Sequence, residues 1–251
     1  MSFLSDERSG APAGAQLEAQ PLYQQTRNLL VRRIIDGVWK PGSYLPSEQQ
    51  LGADLGVSVG TIRKATEDLV DQGVLERQHG RGTRVVAHSS AQSRFRFLRF
   101  VHPDGRTPEP VARLLAQRVQ KASALERAQL ELGPQDRVLS LTRTRSEGGE
   151  TLIFERIALP AEPFRNLKLT TGEDMVEEVY VLYQKQCGVT IMRTVDEVSL
   201  DTADEEMARH LSVEAATPLL KVTRVAFSLD GRRNEFRESW TAKLRYRTAL
   251  D

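Results

Sequence analysis

The chain has 251 residues, 39% hydrophobic and 27% charged, with a net charge of +1. That length supports one large or two modest domains, each with its own core, and the even charge balance gives no global sign of a nucleic-acid partner. No stretch approaches the roughly 20 apolar residues of a membrane span, no basic cluster precedes an apolar run at the start, and a single cysteine, Cys187, excludes a disulfide framework and a cysteine-based metal cluster.

A cytoplasmic protein is therefore the expectation. Residues 1–20, rich in Ala, Gly, Ser and Gln, are expected to form a disordered tail. Residues 21–86 form a first domain. Leu29, Leu30, Ile34 and Ile35 recur at helical spacing before Gly37, a helix stop, and Pro41-Gly42 marks a turn. Ser47 is a good N-cap with Gln50 three residues on, so a short helix is expected from Ser47 to Leu55, ending at Gly56. Ser58 caps the next, which carries Ile62, Ala65 and Leu69 on one face and stops near Gly73. Two short helices joined by a Gly-containing turn form a helix-turn-helix.

The second helix would be the recognition helix, whose early residues (Val59, Gly60, Thr61, Arg63 and Lys64) are placed to reach base edges. Two short strands follow, 74–77 and 83–86. Between them His79-Gly80-Arg81-Gly82 forms a tip that the glycines allow to be tight, with Arg81 placed for a minor groove or a phosphate. Residues 21–86 hold nine Lys/Arg and seven Asp/Glu, only +2, so DNA-binding charge must be concentrated on one face. Taken singly, Ser47 reads as a mere cap and Arg63 and Lys64 as a solvated face; the ordered succession of cap, turn, helix and basic wing favours DNA binding.

This segment resembles the GntR family of bacterial regulators. The resemblance rests on Pro21-Leu22-Tyr23, Pro41-Gly42, Leu45-Pro46-Ser47-Glu48, Leu55-Gly56-Val57-Ser58, Thr61-Ile62-Arg63-Lys64-Ala65 and Gly80-Arg81-Gly82-Thr83. It implies a winged helix-turn-helix whose DNA contacts fall on Ser47, Ser58, Gly60, Thr61, Arg63, Lys64, His79, Gly80, Arg81 and Gly82. Many family members carry Arg directly after the Ser that starts the recognition helix; Val59 stands there in this chain, so the operator need not match the common family sequence.

Residues 87–93, small and polar, read as a linker, and a second domain spans 94–251. Arg94–Val101 alternates basic and apolar residues, which predicts a strand. Val111–Val119 has helix-leaning spacing. Helices are expected over 123–132, 172–186 and 203–211, and strands over 137–145, 151–159 and 190–200. Glu147-Gly148-Gly149-Glu150 predicts a hairpin turn, and a second hairpin joins 218–229 to 234–244 around Asp230-Gly231. An internal repeat runs through this region: Leu130, Leu132, Val138, Leu139, Leu141, Thr142 and Arg143 match Leu211, Val213, Leu219, Leu220, Val222, Thr223 and Arg224 at a constant offset. The mixture implies an α+β domain around an antiparallel sheet.

The second domain resembles the UTRA effector domain, which marks the HutC subfamily. The carrying residues are Leu139–Arg145, Phe154-Glu155-Arg156 with Leu159-Pro160, Tyr180–Tyr183, Ala203–Glu206, Pro218–Leu220 and the closing strand to Tyr246. The resemblance implies a strand at 111–119, a fold similar to chorismate lyase, a homodimer, and binding of small effectors such as sugar phosphates or other acids.

Arg143 and Arg145 are two apart and leave one face of a strand together. Two adjacent guanidiniums suit a phosphate or carboxylate, and in the resembling family this pair grips the effector's anionic part, with Glu155 at the position of an acid that meets hydroxyls or amines. Arg224, the repeat-mate of Arg143, and Ser239 and Tyr246 on the last strand complete the candidate set. The alternative from spacing alone is cross-strand pairing of Arg143 or Arg145 with Glu155 or Glu147 on a solvated face, and a one-residue change of register would move Glu155 to the other face. Cys187 reads as structural, with a redox sensor as the alternative; Asp204, Glu205 and Glu206 read as a favourable helix first turn. No catalytic order, metal-ligand spacing or phosphate-binding loop appears, so neither enzyme activity nor a cofactor or metal is expected. The expectation is a dimeric repressor of palindromic double-stranded operator DNA, released by a small anionic metabolite. The alternatives are a second domain that only dimerises and a lyase-like enzyme domain tethered to DNA.

Overall fold

A computed structural model of the protein describes residues 20–175 and 177–248; the tail expected at 1–20 lies, but for Gln20, outside them. The first unit contains α1 (Leu22–Ile35), α2 (Glu48–Leu55), α3 (Val59–Asp71), β1 (Leu75–Gln78) and β2 (Gly82–Val85). Helix α1 buries Thr26, Leu30 and Ile34, one position per turn. Ser47 and Gln50 close a reciprocal capping box at the start of α2, and Ser58 accepts the Thr61 amide at the start of α3. Gly56 makes the turn between these helices, and Gly52, inside α2, lets the chain return close to it. Gly56 adopts φ 65°, and a Cβ on Gly52 would lie 3.0 Å from the Val57 carbonyl. Leu30, Leu51, Ile62, Leu69 and Leu75 form the core of this unit.

The second unit is built on a seven-stranded antiparallel sheet. Its strands are β4 (Val111–Lys121), β5 (Arg137–Glu147), β6 (Glu150–Pro160), β7 (Asp174–Met175), β8 (Ile191–Thr202), β9 (Pro218–Ser228) and β10 (Arg233–Thr241), in the order β7-β4-β5-β6-β10-β9-β8. The sequence repeat is visible as symmetry: β4-β5-β6 mirrors β8-β9-β10 about the central β6–β10 pair. Helices α5 (Ala124–Leu130) and α7 (Glu205–Leu211) precede β5 and β9 and end alike, with Glu131 and Ser212 in the left-handed region. Helix α5 packs on β10 and α7 on β6, so each crosses to the other repeat. Phe154, Trp240 and Phe236 lie beneath them. The opposite face is covered by α6 (Val179–Cys187), whose Val179, Tyr180 and Tyr183 meet Leu139, Leu141 and Ile157.

Three expectations change. Residues 94–101 do not form one strand. Ser89 and Gln92 close a capping box that starts α4 (Ser90–Phe97), overlapping the expected linker, and strand pairing is confined to Phe100–Val101 (β3), which pairs with β11 (Arg245–Tyr246). The alternating pattern misled because burial falls on Ser93 and Phe97, four apart on one helical face. The expected helix at 172–186 begins only after Glu178, because Asp174–Met175 pair with β4, where Arg113 lies 2.6 Å from Asp174. Val111–Val119 is a strand, as the family resemblance implied and the spacing did not.

Helix α4 links the units. Its Phe97 ring meets Tyr180 of α6 edge-on at 4.9 Å, and Arg96 donates to the Met192 carbonyl at 2.5 Å. Met192 and Leu229 pack on the core of the first unit, and Gln184 of α6 accepts from the His88 amide at 2.9 Å while donating to the Val86 carbonyl. Phe97→Ala should cost about 3–5 kcal/mol of stability and abolish hydrogen-exchange protection over 93–97; an unchanged melting midpoint would show that α4 is not docked.

Candidate DNA interface and effector site

On the first unit, Ser47, Ser58, Gly60, Arg63 and Lys64 are exposed and Thr61 half-buried along the starts of α2 and α3. The Ser58 and Thr61 hydroxyls lie 2.8 Å apart, so both belong to the cap. Glu48 holds Arg63 at 3.0 Å, and Lys64 lies over the Tyr23 ring at 4.2 Å, so neither long side chain swings freely. Val59, beside them, is exposed. The wing tip is His79-Gly80-Arg81, closed by the Arg81 amide on the Gln78 carbonyl at 3.0 Å, with Gly80 at φ 71° and Gly82 at φ 103°. His79, Gly80, Arg81 and Gly82 are all exposed.

In the second unit the sheet face beneath α6 carries a buried ionic cluster. Register sets it: Arg143 lies opposite Glu155, Glu155 opposite Ser239, Arg237 opposite Arg224, and Arg224 opposite Asp196. Arg143 Nε donates to Glu155 Oε2 at 2.5 Å, and Ser239 Oγ donates to Glu155 Oε1 at 3.1 Å. Arg145 forms a two-pronged pair with Glu178, at 3.0 and 2.7 Å, and Arg224 forms another with Asp196, at 2.7 and 2.6 Å. Arg237 reaches Glu235 at 2.7 Å, and the Tyr180 and Tyr183 hydroxyls each donate to Glu235 at 2.8 Å. Tyr246 donates to Asp196.

Of the sequence candidates, Arg143, Arg145, Glu155, Arg224 and Ser239 thus come together, while Tyr246 enters only through Asp196. The solvated-face alternative is corrected: Arg143 does pair with Glu155, but the two are 1% and 2% exposed. Glu147 instead serves His102 at 2.8 Å and Arg106 at 3.2 Å. Sequence reasoning missed Glu235 and Arg237, although the strand containing Ser239 places them on its face at spacings of two. It also missed Glu178, Tyr180 and Tyr183 as polar partners, because no local signal marks which helix covers a sheet.

Burial alone would raise the Glu155 carboxyl, but the guanidiniums of Arg143, Arg237 and Arg145 outweigh it and hold the group far below the usual carboxylate range. Burial likewise opposes ionisation of Glu178, and Arg145 overrides it. Burial pulls the Arg143 guanidinium below its ordinary value; Glu155 opposes this, and Arg237 and Arg145 add to it. Three buried donors, Arg143 Nη2, Arg145 Nε and Arg237 Nε, have no acceptor among the described residues. Arg145 and Arg237 line a cavity of about 30 Å³ together with Glu155, Glu178, Arg224 and Ser239 among others, room for a water or two; Arg143 lies outside its lining, behind Glu155.

The Cys187 thiol is pushed up by burial, opposite to the direction of an activated cysteine. Asp204 caps α7 through the Met207 amide at 2.8 Å, with Glu205 and Glu206 in the first turn. Among the described residues there is no group of His, Cys, Asp and Glu that could hold a metal, and no helix long and apolar enough to cross a membrane.

Because Glu155 and Glu178 are depressed in the folded state, their stabilisation is present above the ordinary carboxylate value and is lost as pH falls through and below about 4.5. Glu155→Gln, which leaves Arg143 buried without its partner, should cost about 3–5 kcal/mol at neutral pH and flatten the acid limb, read by thermal unfolding across pH.

Residues 22–85 match the bacterial regulatory proteins of the gntR family, and residues 105–247 match the UTRA domain. The mannosyl-D-glycerate transport/metabolism system repressor MngR of Escherichia coli K12 is 29% identical over 218 residues, covering 86% of this chain and 90% of that protein. The transcriptional repressor NagR of Bacillus subtilis is 26% identical, covering 84% and 86%. The ligand-binding domain of a Bordetella bronchiseptica protein assigned to the GntR family superposes with a TM-score of 0.56 at 27% identity, covering 62% of this chain and 98% of that one. The chain belongs to the gntR family of bacterial regulatory proteins and is a DNA-binding transcription regulator carrying a UTRA domain.

Proposed function

We infer that the protein is a repressor released from its operator by a small metabolite carrying a carboxylate or phosphate. The observation that carries this reading is the set of three buried guanidinium donors without acceptors on the sheet face under α6, two of them on arginines, Arg145 and Arg237, that line the cavity there. Such donors are costly to leave unmade, and a planar or tetrahedral oxyanion satisfies two at once. Relatives named as repressors support the outcome, and MngR's name supplies a glycosylated acid as its metabolite. In this reading Arg143, Arg145 and Arg237 hold the anion, and Glu155 and Ser239 meet hydroxyl or amine groups. The second unit binds its ligand rather than turning it over.

Residues 21–86 would hold DNA through Ser47, Ser58, Gly60, Thr61, Arg63 and Lys64 on the helices and His79, Gly80, Arg81 and Gly82 on the wing. A homodimer would set two such units on half-sites of a palindrome.

Arg81→Ala should weaken binding to duplex DNA of every sequence and reduce the salt slope by about one; an unchanged slope would remove Arg81 from the phosphate contacts. Thermal unfolding against a library of sugar phosphates and acidic sugars tests the effector site, since a ligand of the folded state raises its stability by mass action. A hit lost in Arg143→Ala and Arg145→Ala supports the assignment. A hit that survives both moves the effector elsewhere.

A further inference from the structure

Arg145 already carries an anion. Both of its terminal nitrogens are taken by Glu178, the residue immediately before α6, in the fork geometry that a ligand carboxylate or phosphate would adopt. Glu178 makes no capping bond to its own helix; its carboxylate is committed to the arginine. With Glu178 in place the cavity holds a water or two and nothing the size of a sugar acid.

The same residue ties down α4. The Glu178 amide donates to Ser90 Oγ at 3.1 Å, and Arg94 approaches its carboxylate at 3.5 Å. The other tie between α4 and α6 is apolar: Phe97 meets the Tyr180 ring and shares a core cluster with Val179 and Tyr183. Helix α4 in turn reaches Met192, which packs on the core of the DNA-binding unit.

We propose that Glu178 is a tethered stand-in for the effector's anionic group, and that the effector binds by exchanging with it on Arg145, untying α4 from α6. This rests on the effector reading above and adds how the site opens and what the opening moves. Charge balance makes it an exchange. The buried guanidiniums of Arg143, Arg145, Arg224 and Arg237 are matched by the carboxylates of Glu155, Glu178, Glu235 and Asp196. Withdrawing Glu178 alone would leave Arg145 buried and uncompensated, a costly state. Glu178 therefore leaves only as another anion arrives, and α4 stays tied until then.

The test uses the full chain and inorganic phosphate as the probe, at constant ionic strength held with chloride. Glu178→Gln should melt at a lower temperature than wild type in chloride alone. Phosphate should then raise its melting temperature at concentrations at least about fivefold lower than wild type requires, within the usual range of coupling between linked events. A second readout needs no variant: in wild type, saturating phosphate should speed amide exchange at Glu178 and over residues 93–97. A phosphate response in Glu178→Gln that is equal to, weaker than or as absent as that of wild type overturns the proposal, as does unchanged or slower exchange over α4 in the phosphate-saturated protein. Arg145→Ala separates the two levels. If it retains the phosphate response, the effector site itself is misplaced. If it loses the response while Glu178→Gln behaves as wild type, the site stands and only the exchange fails.

Discussion

The pairing of Arg143 with Glu155 across two central strands is the interaction on which the effector unit turns. Each is almost wholly removed from water, and each would be prohibitively expensive there alone. The pair exists because the hairpin register puts the two residues opposite one another. That register is set by a two-residue turn in which Gly148 and Gly149 both hold positive φ, at 59° and 83°, together with a bulge between Arg145 and Ser146 whose extra residue, Leu152, moves the pairing on by one; the turn alone would put Arg143 opposite Phe154. A slip of one residue would turn Glu155 to the α7 side and strand Arg143 beneath α6. Turn chemistry, strand register and the ionic site are thus one constraint at three scales. Burying so much charge is poor economy for stability alone, so it argues for a site that recognises charge.

The repeat explains the layout and its asymmetry. Arg143 and Arg224 hold equivalent places in the two halves, yet Arg143 pairs inward with β6 whereas Arg224 pairs outward with Asp196 on β8. The symmetry is also broken by α6, which has no counterpart among the described residues on the sheet face it covers. It contributes two tyrosines with rings in the core and hydroxyls on Glu235, and burial raises both phenols, keeping them as donors. The helix therefore seals the face apolarly and completes it electrostatically. The outcome is a sheet centre with more guanidinium donors than its internal acceptors satisfy.

Much of this was legible in the sequence, for local reasons. Ser47 with Gln50, and Ser58 before Ile62, announce the helix-turn-helix because capping and helical periodicity are encoded within a few residues. The strand and turn signals around Gly148-Gly149 yielded the hairpin, and spacing by two placed Arg143 and Arg145 together. What escaped was whatever depends on packing. Helix α4 hid behind alternating residues whose apolar side chains, in a strand, would have needed a sheet to cover, whereas its cap and one buried ring sufficed for a helix. Glu178 was invisible because its meaning comes from Arg145, distant in sequence and brought close only when α6 covers the sheet.

That α4 is a helix has a functional consequence. A strand over 94–101 would have joined a sheet through many backbone bonds, and a small ligand could not have shifted it. An eight-residue helix held by one buried ring and a few polar ties is the kind of short element that can open locally, and the ties that end on Glu178 are part of what holds it. Packed elements of this kind move between discrete arrangements rather than deforming smoothly. Coupling of this sort is reciprocal: an anion that loosens the DNA complex through α4 must itself be held more weakly by the DNA-bound protein, by the same factor. In the proposed exchange, the element joining the two units is therefore the place where the affinities for DNA and for effector are set against each other.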